Sequence, residues 1–396
     1  MKKIKYLSIL LIIPLLSGCY NYRELNELAI NTALSIDYSD NNFDIIVEVI
    51  NPTKQQDAAS ANNSPFVDYY SSAPTLQEAF RNVVIDSPRQ LYASQLELII
   101  LSEEAANNHM SEILEYFSRE PESRTEVKFV IARGDESTKA VTIQTLLTSF
   151  SSSNIKQSLE LQQKVLGLTP VYTLNELLNM YLDPTLEINL PSIIVYGNAE
   201  EGDEKENITT STPKALTKVG STAVFRDDDF LGYLTEEESK VHSMITGNTK
   251  ESIINLNYED NYSVFELYKI DSDISPDIKN NKIILNISGK ARIKEFHSNA
   301  NITKAKEIDK INKILNKHIE DVIKDNFNKI RKEYNTDIFG FRQSFYREDP
   351  DYYNTHYRDN WYESVFSKLN LEVKANIKLY EKGNTLGGIE YESKNN

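Results

Sequence analysis

The chain has 396 residues, 40% of them apolar, a net charge of −16 and a single cysteine. That apolar share supports folded cores in two or three domains and excludes a disordered chain. The acidic balance argues against nucleic acid and anionic lipid headgroups as partners, and one cysteine permits neither a disulfide framework nor a thiolate metal site.

Lys2, Lys3 and Lys5 precede an apolar core at 7–16. This is shorter than the ~20 residues of a bilayer span and has the form of a secretory signal. Leu16-Ser17-Gly18-Cys19 then reads as a lipobox. Small residues let a peptidase approach the backbone, and the cysteine sulfur is the nucleophile that takes a diacylglyceryl group. Residues 1–18 are expected to be a signal peptide and Cys19 the lipidated mature N-terminus, bearing diacylglyceryl and N-acyl lipid; the alternative is an ordinary cleaved signal with an incidental cysteine. Two acyl chains anchor a protein stably where one is marginal. Loss of residues 1–18, which hold three lysines and no acid, takes the net charge to −19.

Apolar runs at 28–36 and 43–50 flank DYSDNN and predict a hairpin. The Ser- and Asn-rich stretch 55–72 has no period and reads as a loop. Thr75 with Glu78 opens a helix to about residue 85. A buried strand at 96–101, an amphipathic helix at 103–117 and a strand at 125–132 follow. Helices are expected at 142–150, 155–166 and 174–181, then a strand at 191–197. Residues 200–213 are acidic and aperiodic, a linker or long loop. GSTAVFRDDDFLGYL predicts a hairpin turning at 227–229, and Thr235 with Glu238 caps a helix to about residue 244. The last third, from about residue 268, holds an alternating strand at 283–293, a long helix at 304–334 and a nearly perfect alternating strand at 369–379. The fold class is α+β: three mixed domains in an extended arrangement, at 19–199, 214–267 and 268–396, with 200–213 between the first two.

Motifs for catalysis are absent from the sequence. The five histidines have no HxH or HxxxH spacing, and there is no GxSxG, Walker loop or GxGxxG. Paired carboxylates for glycoside hydrolysis cannot be located among 59 acids. The triplet Asp227-Asp228-Asp229 reads as a solvated turn rather than a calcium loop, whose ligands spread over about twelve residues. Segment 339–366 interleaves aromatics with Arg342, Arg347 and Arg358 and holds the only tryptophan, Trp361. Its acids outnumber its arginines, which disfavours a nucleic-acid platform. An aromatic connection packed over a sheet is the plainer reading; a protein-contact surface is the other.

Several stretches together resemble the Ger(x)C lipoproteins, the C subunits of spore nutrient germinant receptors. They are CYNYRELNELAINTALSID behind the lipobox, FSREPESRTEVKFVIARG, STAVFRDDDFLGYLTEEES, TDIFGFRQ and WYESVF before the last strand. Tyr20 and Asn21 stand where the family usually has Trp-Asp, and Ala33 and Ser35 where it carries glycines. The resemblance implies three α+β domains, no catalysis, and a place on the outer face of the spore inner membrane beside an A subunit and a transporter-like B subunit; no cofactor and no metal are expected. Arg23, Glu24, Arg119, Glu120 and Arg124 fall on charged positions of the pattern, with internal salt bridges favoured over partner contact. Tyr20, Arg23, Glu24 and Trp361 are the candidates for such contact. A lipid-anchored solute-binding protein is the competing expectation, and it requires two α/β lobes with a crevice between them.

Overall fold

The computed structural model describes residues 24–52, 64–120, 122–134, 137–259, 261–298 and 300–381. The predicted hairpin is β1 (Leu28–Ser39) and β2 (Asn42–Ile50), joined through Asp40 and Asn41, both at positive φ. Such a turn matches the natural twist of the strands, and Asx residues tolerate it well. After β3 (Phe66–Ala73) come α1 (Leu76–Asn82), β4 (Gln90–Tyr92), β5 (Leu98–Ser102), α2 (Glu103–Arg119) and β6 (Lys128–Ala132). Helices α3 (Ser151–Val165) and α4 (Leu174–Leu182) precede β7 (Asn189–Gly197), β8 (Ala215–Arg226) and β9 (Asp229–Tyr233).

These strands form one sheet in the order β3-β2-β1-β5-β6-β7-β8-β9, with β4 alongside β1. Its centre, β1-β5-β6-β7, is parallel and its two flanks are antiparallel. Parallel strands are covered on both faces, and LIILS in β5 is accordingly buried throughout. At the end of β7, Gly197 has φ +90°, and a Cβ there would sit 1.9 Å from the Lys214 carbonyl oxygen. Only glycine fits that turn.

Beyond α5 (Glu236–Ile245), a second sheet is built from β10 (Glu251–Tyr258), β11 (Asn261–Asp277), β12 (Lys282–Phe296) and β13 (Asn370–Glu381), in that order. Its last pair is parallel, so the chain must cross over between them. The crossover carries α6 (Ala305–Tyr334), α7 (Phe341–Glu348) and α8 (Pro350–His356). Helix α6 buries Ile311, Leu315, Ile319, Ile323, Phe327 and Ile330 at helical spacing, each worth about 1.5–3 kcal/mol on full burial. One turn-spaced row beside that stripe is polar and reaches β13. Asn312 Oδ1 accepts from Leu379 N at 2.8 Å, Asn316 Oδ1 from Ile377 N at 2.6 Å, and Glu320 Oε1 from Ala375 N at 3.1 Å. The outer N–H groups of an edge strand are thereby satisfied by helix side chains instead of another strand.

The α+β class holds, while the partition differs from the expected one. Of segment 214–267, β8 and β9 complete the first sheet and β10 opens the second, and the boundary at 267/268 falls inside β11. The linker 200–213 is ordered around Asn207, which is fully buried. Its amide donates to the carbonyls of Gln144 and Ala215 and accepts from Ala215 N. Within the expected loop 55–72, residues 55–63 lie outside the described residues, and 66–72 belong to β3. An edge strand needs few buried side chains and so shows little periodicity. The helix expected at 142–150 is absent. There Thr145 and Thr148 hydroxyls bond nearby carbonyls, competing with helical bonding, and Leu147 is 93% exposed.

Candidate functional site

A buried polar seam ties the two sheets together, and the aromatic segment supplies much of it. Phe341, Phe345, Tyr353, Trp361 and Phe366 are buried in the second core. From the same segment, the Tyr362 hydroxyl donates to Glu187 Oε1, while Asp227 N donates to Glu187 Oε2 at 2.7 Å. The Arg226 guanidinium lies 4.2 Å from the Tyr362 ring centroid, a cation–π contact. Gln343 donates to Asp183 at 2.7 Å, Tyr334 to the Tyr233 carbonyl at 2.8 Å and Thr336 to the Phe225 carbonyl at 3.1 Å.

At the turn after α6, Asp337 accepts from Phe339 N, Phe341 N and Arg342 N, tying down the start of α7. Burial pushes its carboxyl up to about 7, against the pull of those three donors. Burial likewise raises Glu187, against the Tyr362 and Asp227 hydrogen bonds. His242, fully buried, is held down at about 4 by desolvation and donates from Nε2 to the Ile338 carbonyl at 2.9 Å. Two buried acids with raised pKa values and a histidine resemble the parts of an acid–base site. Here both oxygens of Glu187 and of Asp337 are engaged by protein donors, so neither presents a free carboxylate to a substrate. Their arrangement is that of a joint between sheets.

Among the described residues, no group of three His, Cys, Asp or Glu could hold a metal ion, and no helix is long and apolar enough to cross a membrane. Cys19, Tyr20 and Arg23 lie outside the described residues. Glu24 is exposed and caps the turn Leu25–Glu27 that leads into β1. Trp361 is 2% exposed and meets Phe345 edge-on, with ring centroids 5.4 Å apart. It is a core residue, which removes it from the candidates for partner contact. Arg119 pairs with Glu115 on the surface of α2 at 2.9 Å. Glu120 lies half-buried at the end of that helix, and Arg124 is exposed.

Two family profiles match the chain. One, described as "Spore germination protein N-terminal domain", covers residues 21–195; the other, "Spore germination B3/ GerAC like, C-terminal", covers 220–383. The chain belongs to the GerAC-like spore germination family. Spore germination protein KC of Bacillus subtilis (strain 168) is 25% identical over 97% of both chains. Spore germination protein B3 of the same organism is 22% identical over 93% of this chain and 95% of that one. A crystal structure titled as that of the GerBC protein gives a TM-score of 0.48 at 17% identity, covering 87% of this chain and 96% of the other. In this GerAC-like chain the first profile ends within β7 and the second begins within β8. Those strands are hydrogen-bonded neighbours, so the family's two-part description divides at a hairpin that the sheet runs through.

Sequence reasoning did not find Glu48, Asp68, Glu187 or Asp337. The available signal was an acid within a largely apolar run, as with Glu48 in FDIIVEVI and Glu187 in LEINLPSII. In the GerAC-like chain Glu48 and Glu187 join distant segments, and Asp337 fixes the start of α7.

Proposed function

We propose that this chain is the lipid-anchored subunit of a spore nutrient germinant receptor. It sits on the outer face of the spore inner membrane through diacylglyceryl and N-acyl lipid at Cys19, and it acts by contact with membrane-embedded A and B subunits rather than by catalysis. The observation that carries this reading is the match along nearly the whole chain to spore germination relatives. The anchor is supported by the lipobox ending at the sole cysteine.

Four residues separate Cys19 from Glu24, where the described fold starts; the five Cα-to-Cα steps between them reach at most ~18 Å when fully extended. The acidic body is therefore held close to a surface that repels it when the lipids are anionic. A body so placed is suited to lateral contact with membrane partners. The solute-binding alternative needs two α/β lobes, whereas the second sheet here is antiparallel except for its last pair.

The test is Cys19→Ala in sporulating cells of the source organism. The variant is expected to leave the membrane fraction, and its spores to lose the nutrient response while still germinating with exogenous dipicolinate. Normal germination together with a failure of solute uptake would replace this reading with the solute-binding one.

A further inference from the structure

The polar row of α6 changes character one turn beyond Glu320. Asn312, Asn316 and Glu320 accept from the N–H groups of Leu379, Ile377 and Ala375. Four places on stands Lys324, whose ammonium group can only donate. These odd-numbered N–H groups of β13 point outward, while that of Asn370 donates toward β12, to the Asn281 carbonyl. By strand alternation Val373 and Leu371 present their N–H groups outward as well, and among the described residues the helix acceptors reach no further than Ala375. A cavity of about 300 Å³ lies at this point, lined by Lys324, Phe327, Asn328 and Arg331 of α6 and by residues 369–371 at the start of β13.

Its walls carry two cations and no carboxylate, in a chain with 59 acids. Arg331 is half-buried and held by neutral groups only. Its Nη1 donates to the carbonyls of Leu369 at 2.6 Å and Phe366 at 3.5 Å, its Nη2 donates to Asn328 Oδ1 at 2.7 Å, and the Phe327 ring centroid lies 5.0 Å away. Its Nε has no acceptor among the described residues. Burial lowers the pKa of Arg331, and no carboxylate opposes the shift. Lys324 likewise forms no ion pair among the described residues. The acids nearest in sequence are committed elsewhere: Glu320 to Ala375 N, Asp321 to Lys317 at 2.7 Å, and Glu372 to Lys282 and Lys374. Asp325 is exposed and off the wall. A cation partly withdrawn from water without a counter-ion is costly, and an anion offsets that cost.

We infer that this cavity binds a phosphate group. Lys324 supplies a point charge, Arg331 Nε and the Asn328 amide nitrogen supply directed donors from the helix, and the outward N–H of Leu371 donates from the strand. Donors arriving from two elements suit a tetrahedral oxyanion better than a planar carboxylate. A cation is repelled by both charges, and a zwitterion would bring its ammonium group to a wall without an acid. A neutral ligand would leave both charges unanswered. The same chemistry is offered by a free phosphate and by the phosphodiester of a lipid headgroup. This inference stands on the cavity and does not rest on the receptor reading.

The test is calorimetry on the full chain in non-ionic detergent at constant ionic strength. Inorganic phosphate and glycerophosphoglycerol, the acyl-free headgroup of phosphatidylglycerol, are titrated separately, with succinate as the carboxylate comparator. Heat with at least one phosphate probe is expected; inorganic phosphate binding marks a soluble source, and binding of the diester alone marks a headgroup. Succinate should bind about tenfold or more weaker, and Lys324→Gln should weaken phosphate binding by a similar factor, the loss of one charge-assisted contact. That variant has no ion pair in the fold to lose, so its thermal midpoint should not move. Lys329→Gln, an exposed lysine off the cavity, should leave binding unchanged. Absence of heat with both phosphate probes would overturn the proposal, as would equal binding of succinate, binding indifferent to Lys324→Gln, or equal losses from the two lysine substitutions.

Discussion

Helix α3 begins with no cap of its own, because Phe150 at its N-cap offers no side-chain acceptor. Glu48, more than 100 residues earlier on β2, takes that place. Its carboxylate accepts from Ser151 N at 2.7 Å and Ser152 N at 3.3 Å, and the Thr32 hydroxyl donates to it at 2.5 Å, all in a fully buried site. A carboxylate at a helix N-terminus satisfies orphan donors and favours the positive end of the dipole. Glu48→Ala leaves two buried backbone N–H groups unpaired at about 1–3 kcal/mol each. Part of that loss is offset because a buried acid, raised by desolvation, no longer has to be accommodated. A net loss of about 3 kcal/mol follows. Glu48→Gln keeps one acceptor oxygen and should lose about 1–2 kcal/mol.

Urea unfolding followed by far-UV circular dichroism gives the ranking, and hydrogen exchange at Ser151 and Ser152 gives the location. With two cores the chain need not unfold in one step, so the transition that contains the first sheet is the one to compare. Both variants staying within about 0.5 kcal/mol of the parent, with those two amides equally protected, would refute the long-range cap.

Asp68 stands directly across from Glu48 in the β2–β3 register, and burial together with the charge of Glu48 pushes its carboxyl up to about 8. From about pH 4 to pH 8 the folded chain then holds a proton that the unfolded chain gives up, so this group makes stability fall as pH rises through that window. Asp68→Asn should flatten the fall and gain about 2–5 kcal/mol at pH 8 while changing little at pH 4; a parent-like slope in denaturation midpoints against pH would contradict this. Replacing Asn312 and Asn316 together by alanine exposes the β13 edge, with an expected loss of about 1–3 kcal/mol and increased self-association in light scattering; an unchanged monomer fraction and midpoint would show that the helix row is not protecting that edge.

What could be read from the sequence was whatever repeats locally. The alternation from Leu369 to Leu379 and the helical stripe from Ile311 to Ile330 both declare their buried face within a few residues, and Thr235 with Glu238 forms the capping box expected of them. Strand β3 was missed because its outer neighbour is solvent, and the division was drawn at residue 268 because β11 is long and its register shifts there, between Tyr268 and Asp271, with Lys269 at positive φ. Trp361 was open to two readings for a chemical reason: aromatics and arginines build protein interfaces, and they build cores with equal ease. The seam, the cap from Glu48 and the cavity at Arg331 depend on groups brought together from distant segments, and no local pattern encodes them.

The row of Asn312, Asn316 and Glu320 along β13 bears on how crowded copies of this chain behave. An open strand edge is promiscuous, since any extended segment can lengthen it regardless of side chains. By closing that rim with groups from its own helix, the second sheet refuses recruitment by backbone alone. Any neighbour on that flank has to be recognised through side-chain shape and charge, so selectivity is imposed there before a partner arrives.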